Sequence, residues 1–293
     1  MTPLSLPLDV APTGDLHPYL VLDVFTDRPL EGNQLGAFTD GRPFSDEQMQ
    51  AVARELNVAE TIFVLPPEHG ADVRVRIFTP GVELPFAGHP VLGAAFVAGT
   101  ALDLDVVRIE TASGVVPLRL ERRAGHVVFG WMEQSFPAGR AYERADELLA
   151  ALGVERTVDP VEVYENGPRH VLVRLESEDA VAALRPDLAA LASHTRAGVN
   201  CFAGEGARWK TRMFGPALGI AEDPATGSAA GPLAVHLARH GAIAFGETIE
   251  IRQGAEMNRP SLLHARVEGT ADRIDRIEVG GAAVVVARGE YRV

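Results

Sequence analysis

The pattern of apolar and polar positions along the 293-residue chain predicts strands alternating with helices. From Tyr19, "YLVLDVFT" is a strand-length run of β-branched and aromatic residues. In "GRPFSDEQMQAVARELN" the apolar residues Met49, Val52, Ala53 and Leu56 recur at helical spacing. Ser45 stands where it caps that helix, and Gln48 where it completes a capping box. "ETIFVLPP" and "DVRVRIFTP" follow as strands, the second alternating Val73, Val75 and Ile77 against Arg74 and Arg76. The second half repeats this grammar. "HVLVRLES" is a strand, "RPDLAALAS" a short helix with Pro186 in its first turn, and "GVNCFAG" and "RWKTRMFGP" are strands. A last strand, "AAVVVARGEYRV", follows the second half and is expected to return to the first.

Two segments break the amphipathic pattern. Residues 90–98 and 224–238 are apolar or tiny on all sides, which predicts helices buried all round, with Gly, Ala and Ser letting strands approach closely. Pro232, inside the second, is expected to remove a backbone hydrogen bond or kink the helix. The two segments belong to a duplication. Arg76–Pro80 matches Arg212–Pro216, and a two-residue deletion in the following loop pairs His89 with Asp223 and Gly93 with Gly227. The expected architecture is therefore α/β, with two pseudo-symmetric units. Each is a mixed β-layer around a central helix, and the helix N-termini face one another across a cleft. The expected division is a flexible tail over residues 1–18, one unit over 19–130 plus 282–293, and a second over 131–281.

Composition narrows the function. A formal charge of −13 argues against nucleic acid and anionic membrane surfaces as partners. No apolar run reaches the roughly 18 residues of a membrane span, and the N-terminus lacks the features of a signal peptide, so a cytoplasmic location is expected. Lys210 is the only lysine, so Schiff-base chemistry would rest on one residue. The single cysteine, Cys201, excludes an internal disulfide framework and a multi-cysteine metal site.

Chemistry is expected where the two helices begin. Free N–H groups and a partial positive charge at a helix N-terminus attract a carboxylate or phosphate. His89 and Asp223 stand at these entrances, with Glu222 beside the latter. Glu60 precedes an apolar strand, where burial suits a carboxylate for proton transfer. Each also has a plainer reading: Asp223 as a helix cap, His89 as a satisfied core residue, Glu60 as a solvated strand-edge carboxylate. His236 and His240, four apart on a helix, lack an obvious third metal ligand and are expected on a partly exposed face, so no metal site is expected. Ser228 does not lie in a nucleophile elbow, and no GxGxxG or Walker sequence is present.

The segments "PLEGNQLGAF", "NVAETIFVLPP", "RIFTPGVELPFAGHP", "NGPRHVLV", "NCFAGEG", "RMFGPALGIAEDPATGSAAGPLAVHLARHG" and "RPSLL" together resemble the PhzF family of phenazine biosynthesis, from about Tyr19 to the C-terminus. The resemblance implies the diaminopimelate epimerase fold, but the paired cysteines of the epimerases are missing at both helix entrances, which excludes two-cysteine racemisation. It implies a cofactor-independent isomerase, commonly a homodimer, acting on trans-2,3-dihydro-3-hydroxyanthranilate. Glu60 would move a proton from ring carbon C3 to C1. His89 and Asp223 would bind substrate and assist, Ser228 would lie near it, and Gly88 and Gly227 would let backbone approach the ligand. One departure is Ala59, where the family motif carries a serine before the glutamate. It keeps open an isomerase for another small carboxylate. A non-catalytic small-molecule binding protein is the third reading.

Overall fold

The computed structural model describes residues 14–293; residues 1–13 of the expected tail lie outside the described residues. The first strand is Leu16–Val24, so it begins inside the stretch read as tail. Its partner on one side is the last strand, Ala283–Arg292, antiparallel over nearly the whole length. The chain thus returns to its start.

The two halves share one pairing sequence. In the first, Asn33–Phe38 runs parallel to Glu60–Leu65, which is antiparallel to Val73–Phe78. That strand is parallel to Val106–Thr111, and the antiparallel strands Gly114–Arg123 and His126–Glu133 complete the series. In the second, Arg169–Arg174, Gly198–Glu205, Arg208–Gly215, Thr248–Gln253, Ser261–Gly269 and Ile274–Gly281 repeat the same order of parallel and antiparallel steps. His126–Glu133 also pairs with Ile274–Gly281. This strand runs across the expected boundary at residue 130 and joins the two series into one sheet.

In each half a parallel step needs a crossover, and the second crossover carries the central helix. These helices are Gly88–Leu102 and Gly227–Arg239. The first packs against strands on every side, from Leu16–Val24 round to His126–Glu133. Small residues make that possible: a Cβ on Gly93 would stand 2.3 Å from the Leu35 side chain. With residues from Val91 to Gly99 almost all buried, the helix is a core element, and its uniformly apolar sequence reflects that.

Helix Asp46–Leu56 has the capping box in full: Gln48 N–H donates to Ser45 Oγ, and Ser45 N–H to Gln48 Oε1. In the second half, however, Pro186 is not in a helical first turn. The helix is Leu188–His194, capped by Asp187, whose carboxylate accepts from Ala190 N–H, and Pro186 lies outside the cap.

Candidate active site

The two central helices begin against each other. A Cβ on Gly88 would lie 3.0 Å from Ser228 N and 3.1 Å from Gly227 C, so only glycine lets the two first turns meet. Neither helix has a side-chain cap: Ala87 and Thr226 occupy the N-cap positions without capping hydrogen bonds. The free N–H groups of both first turns therefore converge, a setting that favours a carboxylate. This settles the alternative reading of Asp223. It is not a cap; it ends the short strand Ile220–Asp223, upstream of the helix.

The helix starts also correct the duplication. Gly88 and Gly227 are equivalent, an offset of 139 that matches Pro85 to Pro224 and Glu83 to Glu222. The equivalent of His89 is Ser228, and that of Asp223 is Leu84. The second loop is longer by three residues, not shorter by two. A shared ion pair supports this register. Arg76 binds Glu83 through Nε and Nη2 at 2.7 Å each, and Arg212 binds Glu222 the same way at 2.8 and 2.9 Å.

Three ionisable groups meet at this junction. Glu60 opens its strand, and His89 is the second residue of its helix; both are buried. His89 Nε2 and Glu60 Oε2 are 3.0 Å apart, yet neither atom has an aligned hydrogen-bond partner among the described residues. Burial works against a charged His89, but the Glu60 carboxylate overcomes it, helped by Asp223 and the backbone of Gln34, and the imidazole is raised above its usual range. Asp223 is pushed up to about 6, first by burial and then by the negative Glu60. Its oxygens are held nonetheless: Asn33 Nδ2 donates to Oδ1 at 2.9 Å, and Thr226 Oγ1 to Oδ2 at 2.6 Å.

The sequence pattern does not mark the residues that support these groups. Asn33 sits in "EGN", fixed by Arg259 of "RPSLL", which binds the Gly32 and Glu31 carbonyls and the buried Asp23 carboxylate. Gln253 closes the turn before the second helix, donating to Asp223 O and Thr226 Oγ1 and accepting from Thr226 N–H. Such contacts join segments up to about 230 residues apart, and no local pattern announces them.

Beside the junction lies a cavity of about 470 Å³ lined by Phe86, Ser113, Gln134, Ser135 and Asn166, among others. Glu60, His89 and Asp223 do not line it. It reaches the site through Gln134 and Asn166, which donate to the carbonyls of Gly227 and Ser228 at 2.9 and 3.1 Å. Elsewhere, His236 is fully buried, contrary to the expected exposed face. Glu162 Oε2 meets His236 Nδ1 at 2.9 Å, His240 Nε2 at 3.2 Å and the Tyr164 hydroxyl at 2.8 Å. Glu162 is therefore a third candidate ligand beside the two histidines, but one of its oxygens already serves all three partners. Cys201 is buried in strand Gly198–Glu205, away from both helix starts.

Residues 22–289 match the PhzC-PhzF family, described as phenazine biosynthesis-like protein. The chain belongs to this family. It is 52% identical to trans-2,3-dihydro-3-hydroxyanthranilate isomerase of Pseudomonas chlororaphis, over 94% of this chain and 99% of that protein. It is 51% identical, with the same coverage, to the Pseudomonas aeruginosa protein of that name. A PhzF-family crystal structure from Bacillus anthracis superposes with a TM-score of 0.85 at 25% identity, covering 95% of this chain and all of that one. A hydroxyproline epimerase from Agrobacterium vitis shares the fold, with a TM-score of 0.67 at 13% identity over 95% of this chain and 93% of that one. The α/β fold and the family expected from the sequence are both shown by these likenesses.

Proposed function

We propose that this protein is an isomerase that shifts a proton on trans-2,3-dihydro-3-hydroxyanthranilate, the substrate named for its relatives at 52% and 51% identity. The observation that carries the chemistry is the Glu60–His89 contact: a buried carboxylate and imidazole in reach of each other, without aligned partners, beside two uncapped helix ends. The helix ends supply N–H donors for the substrate carboxylate, and Ser228 adds a hydroxyl. Glu60 takes the proton from C3 and returns it at C1, acting as base and then as acid, so the chain needs no cofactor. His89 and Asp223 hold the substrate's polar groups and stabilise charge as the proton moves. The protein works as a homodimer in this reading, which sedimentation at micromolar concentration checks. No described helix is long and apolar enough to cross a membrane.

Mixing the protein with this substrate and following the ultraviolet spectrum tests the proposal. Loss of the diene absorbance at a rate proportional to enzyme concentration is the expected result. No change at any concentration transfers the site to another small carboxylate, the reading that Ala59 supports. A protein that binds carboxylates but exchanges no substrate proton would be a binding protein instead.

A further inference from the structure

Ser228 faces a fully enclosed histidine that the proposed chemistry does not use. His170, 3% exposed, places Nε2 3.0 Å from Ser228 Oγ, while its Nδ1 lies 3.3 Å from Asn200 Nδ2. The Asn200 amide has one sensible orientation, because the same nitrogen donates to the Gly198 carbonyl at 3.2 Å. His170 Nδ1 must then accept, and a neutral ring carries its proton on Nε2. That proton goes to Ser228 Oγ. The serine hydroxyl, accepting there, has its own proton free to donate elsewhere.

The same turn grips Ser228 a second time. Pro232 has no N–H, so the Ser228 carbonyl loses the helical donor four residues on. Asn166 Nδ2 takes that carbonyl at 3.1 Å. The segment "NGPRH", Asn166–His170, thus holds Ser228 by its carbonyl and by its hydroxyl. We infer that His170 is a positioning residue that sets the Ser228 hydroxyl as a donor to the bound carboxylate. This inference rests on the proposed reading of the site. Burial alone pushes His170 down to about 4, so the ring stays neutral, and the arrangement intact, above that pH.

A double-mutant cycle on the full chain tests it, with Ser228→Ala, His170→Phe and the pair, using the same substrate. His170→Phe is expected to raise KM about tenfold, the worth of roughly one hydrogen bond, with kcat little changed. In the Ser228→Ala background it should add nothing further, and His170→Gln, which keeps an N–H donor, should recover most of the loss. An equal loss in both backgrounds would mean a merely structural histidine and overturn the inference. Imidazole nitrogen NMR on the wild-type protein reads the tautomer without any turnover. Neutral His170 protonated on Nε2 from pH 5.5 to 8 is expected, and protonation on Nδ1 or on both nitrogens overturns the inference. Absence of turnover by the wild type with the expected tautomer would sink the substrate assignment alone.

Discussion

At the first helix entrance the ionisable group, His89, is inside the first turn and lies against Glu60 from the neighbouring strand. At the second, Ser228 takes the equivalent place and the ionisable group, Asp223, has moved back into the preceding strand, where Asn33 from the other half holds it. The fold repeats, but the chemistry does not. A symmetric pair of acids and bases suits a reaction that inverts one centre, because either face can be attacked. Here the buried carboxylate and imidazole of the first half stand near a serine on the second, the residue to which the proposed function gives the substrate carboxylate. That asymmetry fits moving a proton along one face.

The comparison breaks most severely at Glu60. Glu60→Gln preserves shape and removes the base; kcat should fall about 10³–10⁴-fold, measured by loss of substrate absorbance. Retained activity would exclude Glu60 as the base and leave His89 and Asp223 as the candidates.

The duplicated ion pairs should differ as their surroundings do. Arg212 is 5% exposed and also donates to the carbonyls of Val181, Ala182 and Leu184. Among the described residues the Arg76 side chain hydrogen-bonds only to carboxylates, those of Glu83 and Asp46, both more exposed than their counterpart Glu222. Arg212→Ala should cost about 3–5 kcal/mol and leave Glu222 uncompensated, while Arg76→Ala costs about 1 kcal/mol or less in denaturant titrations. Equal losses would show that burial does not separate the halves.

The two helix-start glycines give a smaller contrast. A Cβ on Gly227 would stand 2.9 Å from the Phe25 ring, a side chain with no room to retreat; on Gly88 it would meet the Ser228 amide itself. Gly227→Ala should lower stability by about 1–3 kcal/mol. Gly88→Ala should instead raise KM, by parting the two sets of N–H donors. Thermal melts and steady-state kinetics on both variants separate these effects.

The smallest effect is one of pH. Asp223 is raised in the folded protein from about 3.8 to about 6. Above pH 6 the carboxylate is charged both folded and unfolded, and the folded state bears the full cost of burying it. As pH falls toward 4 the folded state gains a proton first, and the cost disappears. Asp223→Asn should therefore raise Tm by about 2–4 °C at pH 8, equivalent to about 1 kcal/mol, and by nothing near pH 4. In the wild type kcat/KM should decline as pH drops through about 6, a limb the variant lacks.

What was legible in the chain was what is local or repeated. The Ser45–Gln48 box reads directly because its partners are three residues apart. The duplicated helices read from their uniform apolarity. The register between them did not, since a three-residue insertion in an irregular loop carries no periodicity, and this misplaced the partner of His89. Glu60, His89, Asp223 and Ser228 stand out in the sequence as candidates, but the residues that hold them do not. Asn33 reaches Asp223 across 190 residues, and His170 reaches Ser228 across 58. His236 misled for the opposite reason: two histidines four apart suggest a wet face, whereas Tyr164 and Phe202 rings close over the first of them.

The most direct measurement is the reaction of substrate deuterated at C3, run with wild-type protein and with Glu60→Gln side by side. The wild-type reaction should be several-fold slower than with unlabelled substrate, and the variant should show almost none. Equal rates for labelled and unlabelled substrate, together with normal turnover by Glu60→Gln, would contradict the central claim that Glu60 moves the proton.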